Sequence, residues 1–368
     1  YTAFYTLSLH DALPISRPGT RPRRALQHEE RRRSRRALGI LGLLLAVLFA
    51  GFLGTVGWVV FNAQKALDVS TGGKGGNVIE VLLPAQPPAT AVAAGRLNIL
   101  VAGSSFDDPG HPGGTLTDGI MVASIDLASK KTTLASIPRD LWVQYGGKSM
   151  KINAVYPAAG GGLDGLTALG GVAETVTGLH IDQHVLIGYK ALRGVIDEIG
   201  GIDVTIASPD PRGINDPNVG LRLENGLQHL DGETARKLAQ ARNDPVPAGG
   251  EYGLPQGDYS RQQSQRLIIG GILTKIKSTP TLANPLTVVN LFTQLSQNIV
   301  TDVTAGQLRS LYDLTSKSGN PGGFTIKGDA THNLLTDYNT PPAGDALVPR
   351  AGIYDYSAIQ QYVASSLG

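Results

Sequence analysis

The sequence predicts an α/β fold in which a sheet lies between helices, and three observations predict it. Continuous apolar strands such as Leu97–Ala102 (LNILVA) need cover on both faces. Segments of helical length and pattern, Leu163–Thr177 and Tyr189–Ile199 among them, lie between such strands. The two kinds of segment interleave over about 270 residues, from Arg96 to the end, with no repeat or second linker, which suits one domain over 96–368.

At the centre of the pattern stands Thr117–Val143, which reads as a hairpin. Ile120–Ile125 is an apolar run, Ala128–Lys131 (ASKK) is the turn, and Thr132–Ile137 is a β-branched return strand. Lys151–Tyr156 (KINAVY) precedes a glycine-rich loop, and the helix over Leu163–Thr177 is ended by Gly178. His184–Ile187 is a short strand, Tyr189–Ile199 a helix stopped by Gly200-Gly201, and Ile202–Ile206 (IDVTI) a further strand. Helices are expected over Gly232–Arg242 and Ser260–Lys277, with more helix through Leu282–Thr315. The tail returns near Ala346–Pro349 and ends in a short helix.

The N-terminal end is organised differently. Residues 1–16 contain LSLHDALPIS, which reads as the in-frame translation of a sequencing adapter, and are set aside as an artefact. Residues 17–36 form a basic arm with nine arginines, ending in RRRSRR. Residues 37–61 carry no charge, and at ~1.5 Å per residue they reach about 37 Å, enough to cross a ~30 Å hydrocarbon layer. That predicts a single transmembrane helix in the cell membrane, and the arginines predict a cytoplasmic N-terminus with everything after it extracellular. Residues 62–95, rich in Gly and Pro, read as a linker or stalk.

Of the 32 Lys+Arg, 9 precede residue 37, as do 3 of the 30 Asp+Glu, leaving 23 against 27 and a net charge of −4. The external part is therefore not a basic polymer binder, and no nucleic-acid partner is expected. The absence of cysteine excludes thiolate metal sites, a cysteine nucleophile and a disulfide scaffold.

Chemistry is expected at the ends of the hairpin. Asp118 enters the first strand and Pro138-Arg139-Asp140 leaves the second, so antiparallel pairing makes Asp118 and Arg139 neighbours. A carboxylate beside a guanidinium at a sheet end suggests either a metal and phosphate site or an ion pair closing the hairpin. Arg242 ends one helix. Arg261 and Gln265, four apart, share a face at the start of the next, where Asp258 or Ser260 can cap. An arginine in a first turn opposes the positive helix end, a cost that a bound phosphate would offset. Asp107-Asp108 follows the first strand and could join Asp118 in holding Mg²⁺. Asn243–Gly257 between the helices reads as a lid or a tolerated insertion. The histidines lack metal-ligand spacing, and no GxSxG, P-loop or HExxH pattern occurs.

Taken together, NILVAG, TDGIMVASID, SIPRDLWV, KINAVY, IGGIDV, LQHLDGETA and GDYSRQQSQR resemble the ordered blocks of the LytR–CpsA–Psr family over about Leu97–Ile276. The resemblance implies a three-layer α–β–α sandwich with a mixed central sheet and a hydrophobic pocket for a polyprenyl tail. It implies a phosphotransferase moving a teichoic-acid-, capsule- or arabinogalactan-like glycopolymer from a polyprenyl diphosphate donor to a peptidoglycan acceptor, with Mg²⁺ (or Mn²⁺) on the diphosphate. Carried onto this chain, Asp118 is the metal-binding aspartate, Arg139, Arg242, Arg261 and Gln265 bind diphosphate, and Asp118 and Arg139 are catalytic. Asn153 lies in the KINA block as a structural residue. The chain departs from the family pattern at Ser105, where an aspartate is usual and for which Asp107 or Asp108 could substitute, and at Leu116, Gln240 and Ser264, where arginines are usual. A thinner cation set leaves two further readings open, a lipid-diphosphate binding protein without turnover and a diphosphatase.

Overall fold

A computed structural model describes residues 60–82, 86–107, 115–243, 250–278, 298–315, 318–329 and 332–368. The adapter string, the basic arm and, apart from residues 60 and 61, the expected membrane span lie outside them. Among the described residues no helix is long and apolar enough to cross a membrane.

Six strands form the central sheet in the order β11-β6-β1-β2-β3-β12. These are β1 (Arg96–Ser104), β2 (Thr117–Asp126), β3 (Thr132–Ser136), β6 (Gln183–Gly188), β11 (Ile299–Thr301) and β12 (Gly322–Thr325). β1–β2, β2–β3 and β6–β11 pair antiparallel, while β1–β6 and β3–β12 are parallel, so the sheet is mixed. Period-two alternation sends successive side chains of β1 and β2 to opposite faces. Leu100, Ala102, Ile120 and Val122 pack with helices α4 (Gly162–Thr177) and α9 (Ser357–Leu367). Leu97, Ile99 and Ile125 pack with α2 (Ala89–Ala94) and α8 (Ala305–Thr315). Helices thus cover both faces.

A second core carries most of the candidate site. There α5 (Tyr189–Glu198), α6 (Gly232–Gln240) and α7 (Asp258–Ser278) enclose Ile196, Leu238 and Ile268 against the ribbon of β7 (Ile202–Ile206) and β10 (Gly226–Leu230). Asp231 caps α6 by accepting from Thr234 N at 2.8 Å. Smaller ribbons are β4 (Trp142–Tyr145) with β5 (Lys148–Lys151), β8 (Ile214–Asp216) with β9 (Leu221–Leu223), and β13 (Leu335–Tyr338) with β14 (Ala346–Pro349).

Three expectations need correction. Residues 62–95 are more than a linker. Helix α1 covers the described residues 60–71, Val78–Leu82 form a 3₁₀ turn, and Ala63, Leu67 and Val78 bury against one another. Of the further helical segments expected through Leu282–Thr315, α8 is present, but Ile299–Thr301 form β11, whose Ile-Val-Thr sequence is β-branched throughout and suits an edge strand; residues 279–297 lie outside the description. Helix α6 stops at Gln240, two residues early, because the Arg242 amide donates to Asp216 Oδ2 at 2.8 Å.

Candidate active site

Asp118 owes its position to a bulge. Gly103 faces Gly119 across β1 and β2 and Ser104 faces Thr117, so Asp118 is the extra residue between two registered pairs. Such a bulge re-aims the side chain it carries. The end of β3 is held to β2 by Ile137 N donating to Ile120 O at 2.8 Å, and Pro138 then turns the chain. Arg139 Nη1 donates to Asp118 Oδ1 at 2.5 Å, the neighbour relation that the hairpin register predicts. The Asn153 amide donates to the Arg139 carbonyl at 3.3 Å, fixing the backbone of the Pro-Arg-Asp segment.

Helix α7 brings the next arginine from the second core. Arg261, 5 % exposed, donates from Nη2 to the Asp118 carbonyl at 3.1 Å and is bonded to Asp258 one turn earlier. Asp258, a candidate cap, instead lies inside the first turn with its oxygens directed to side chains. Oδ1 meets Arg261 and stands 3.4 Å from Arg139 Nε, and Oδ2 accepts from Gln262 at 3.0 Å. This carboxylate therefore offsets the local cost of an arginine at a positive helix end.

Asp118, Arg139 and Arg261, with Arg242, line a cavity of about 400 Å³ whose wall also includes Arg236, Gln240, Tyr189, Asp216 and Asn218. Four arginines from three segments thus converge. Arg236 was invisible as a site residue, since nothing in its local pattern separates it from a surface helix arginine. Its signal is spacing: one turn before Gln240, it bonds the Gln240 carboxamide oxygen at 2.5 Å and is clamped by Glu233 at 2.6 and 3.1 Å. Tyr189 read only as a helix start.

Electrostatics tie the cluster together. Burial would lower the Arg139 pKa, but Asp118, Asp258 and Asp140 outweigh it and hold the guanidinium above its ordinary value. Burial lowers Arg261, and the like charge of Arg139 adds to that, against Asp258 and Asp118. The Nε atoms of Arg139 and Arg261 are buried with no hydrogen-bond partner among the described residues. Unmet buried donors on two guanidiniums facing one cavity are what an anion would satisfy.

Beside the cavity, and sharing Tyr189 with it, lies an apolar slot of about 80 Å³ bounded by Val101, Met121, Ile187, Leu192, Ile268 and Ile269. Gln265 belongs here rather than in the cavity. It donates to Ala239 O at 3.2 Å and packs on Gly119, where a Cβ would stand 2.9 Å from its oxygen.

The carboxylates divide clearly. Asp107 accepts from Tyr189 N at 3.0 Å and Lys190 N at 2.9 Å, so both its oxygens cap α5, and a Cβ on Gly188 would meet it at 2.1 Å. It does not line the cavity, so of the two residues expected as a second metal ligand, Asp107 is a helix cap. Asp108 lies outside the described residues. Asp216 accepts from Arg242 N and Asn218 N. Among the described residues no group of three or more His, Cys, Asp or Glu stands ready for a metal. Mg²⁺ needs only one or two carboxylates when phosphate oxygens and water complete its shell, and Asp118 on the cavity wall fits that requirement. Four of the histidines that lack metal-ligand spacing pair with carboxylates away from the cavity: His180 with Glu174, His184 with Asp302, His229 with Asp203 and His332 with Asp329. In the segment read as a lid or insertion, residues 244–249 are outside the description, and Tyr252 beyond them is bonded to Asn215 through both backbone groups.

The sequence profile of the LytR_cpsA_psr family matches residues 75–328. The chain belongs to the LytR–CpsA–Psr family. Among its relatives, the polyisoprenyl-teichoic acid–peptidoglycan teichoic acid transferase TagU of Enterococcus faecalis is 28% identical over 216 residues, 58% of this chain and 64% of TagU. The chain thus spans somewhat less than two thirds of that relative. Solved structures share the fold. Bacillus subtilis TagV superposes with a TM-score of 0.54 at 23% identity, covering 74% of this chain and 97% of TagV. TagT bound to LI-WTA gives 0.53 at 18%, covering 74% and 90%. The LytR–CpsA–Psr blocks read from the sequence therefore lie on the fold of that family.

Proposed function

We propose that the protein is a membrane-attached phosphotransferase that moves a glycopolymer from a polyprenyl diphosphate carrier to peptidoglycan. The observation that carries this reading is the contiguity, through Tyr189, of a four-arginine cavity with an apolar slot. A ligand with a doubly charged head joined to a hydrocarbon tail matches that pair. The names of relatives such as TagU agree in substrate class.

In this reading the diphosphate exchanges into the guanidinium network of Arg139, Arg242 and Arg261, taking hydrogen bonds now directed at carboxylates and satisfying the unmet Nε groups. The first part of the tail follows Tyr189 into the slot beside Gln265. A peptidoglycan sugar hydroxyl forms a P–O bond to the sugar-proximal phosphorus. The bond from that phosphorus to the bridging oxygen breaks, its electron pair leaves with polyprenyl phosphate, and the hydroxyl proton passes to solvent. Catalysis is then positioning plus charge stabilisation by preorganised donors. Asp118 would hold Mg²⁺ or Mn²⁺, which would supply positive charge beside the diphosphate. Residues 37–61 attach the protein to the membrane, with the domain on the outer side.

The test is product analysis with the full chain and a polyprenyl diphosphate-linked glycan. Release of polyprenyl phosphate that depends on added peptidoglycan and on divalent cation is the expected result. Release without peptidoglycan identifies a diphosphatase, and binding without release identifies a carrier-lipid binding protein.

A further inference from the structure

Arg139 borders two spaces. It lines the arginine cavity, and it lines an open groove of about 550 Å³ together with Leu116, Trp142, Met150, Asn153 and the Asp140–Lys151 ion pair. Resting on the transferase reading above, we propose that this groove is the acceptor subsite and holds a sugar of the peptidoglycan glycan strand.

Three observations support it. Displacement at phosphorus places the attacking and leaving oxygens roughly in line. The carrier tail departs by way of Tyr189, which lines cavity and slot, so the acceptor needs a separate approach. The groove supplies one, because it meets the cavity at Arg139, a different wall residue.

Second, its lining has the mixed character a pyranose demands. Leu116, Trp142, Met150 and Pro342 offer apolar surface to C–H faces, and Asp140, Lys151 and Asn153 offer acceptors and donors to hydroxyl and acetamido groups. A lipid tail would gain nothing from those polar groups, and a diphosphate would be repelled by Asp140.

Third, Asn153 lines the groove, and its recorded bonds run through its backbone, to Arg139 O and from Thr117 Oγ1, which leaves the carboxamide for a ligand. A carboxamide on a groove wall can both donate and accept, which suits a sugar hydroxyl or acetamido group. The KINA block then has a role beyond shape, since Asn153 fixes the Arg139 backbone and presents its own amide beside it.

The assignment is tested by two titrations of the full chain, one with peptide-free peptidoglycan glycan oligomers and one with pyrophosphate. The wild type binds the oligomers saturably. Asn153→Ala, which removes the amide, and Ser149→Trp, which fills the groove from an exposed position on β5, each weaken that binding at least about tenfold. Pyrophosphate affinity stays unchanged in both, showing that the variants are folded and the cavity intact. Oligomer binding that is absent in the wild type, or equal in wild type and Ser149→Trp, overturns the proposal. Neither titration reads turnover, so a wild type that binds oligomers but releases no polyprenyl phosphate counts against the transferase reading alone.

Discussion

A single oxygen, Asp258 Oδ1, stands between two guanidiniums, bonded to Arg261 Nη2 and 3.4 Å from Arg139 Nε. Asp258 thereby joins the Pro-Arg-Asp segment after β3 to the start of α7. Removing it leaves two like charges facing each other in a half-buried site. Asp258→Ala should cost on the order of 3 kcal/mol of stability. Pyrophosphate, which resupplies negative charge, should recover much of that loss. Thermal melts with and without pyrophosphate check both parts.

The Asp118–Arg139 pair is the predicted chemical centre. Asp118→Ala and Arg139→Ala should each reduce transfer at least about 100-fold with an unchanged circular dichroism spectrum. Arg139→Lys should not restore it, because a lysine cannot reach Asp118 and a phosphate oxygen with a planar fork. Wild-type rates from either alanine variant would remove these residues from the chemistry.

Asp107 and Asp118 should separate cleanly in a metal titration. Asp107→Ala should lower stability by about 1 kcal/mol through loss of the α5 cap, while leaving the half-saturating Mg²⁺ concentration for transfer where it was. Asp118→Asn should weaken the Mg²⁺ response itself. A reversed pattern would return Asp107 to the metal.

Gly119 sets the width of the slot. A larger residue there meets Gln265, so Gly119→Leu should abolish binding of a long-chain polyprenyl phosphate while pyrophosphate binding persists. Equal loss of both ligands would mean that the slot and the cavity are not separate subsites.

Alkaline behaviour follows from two buried phenols. Burial, with carboxylates nearby, pushes Tyr259 up to about 12, and burial does the same to Tyr356. Between pH 10 and 12 the unfolded chain loses these protons while the folded chain keeps them, so stability is full below pH 10 and falls as pH rises to 12. Arg266, which burial pulls down to about 10, acts in the opposite sense over the same range. The denaturant midpoint of Tyr259→Phe should gain on that of the wild type as pH rises from 10 to 12, since the variant lacks one phenol whose ionisation opposes folding.

How much was legible depended on how local the cause was. β7 and β14 lie on the residues that the pattern marked, and the contact of Asp118 with Arg139 follows from hairpin register alone. The bulge that aims Asp118 was not legible, because it arises from pairing with a strand beyond a loop. β12 was missed for a similar reason. Its Gly-Gly-Phe-Thr sequence has little strand propensity and is held by β3 on one side, where Arg266 also bonds Ser136 and Thr325 at 2.6 and 3.0 Å. Gln265 was assigned to the diphosphate by the family resemblance, and its spacing with Arg261 gave only a shared helix face. Spacing fixed the helix face, but not how far along it the polar cavity gives way to the apolar slot.

β1 is flanked by β2 and β6, and Arg96 at its start is tied to Ser124, Asp126 and the Leu367 carbonyl. Traction applied through the chain before Arg96 would therefore load an interior strand in shear against two neighbours at once. The strand that takes this load ends at the Ser104 bulge, where Asp118 is aimed, so mechanical resistance and catalytic alignment rest on the same run of hydrogen bonds.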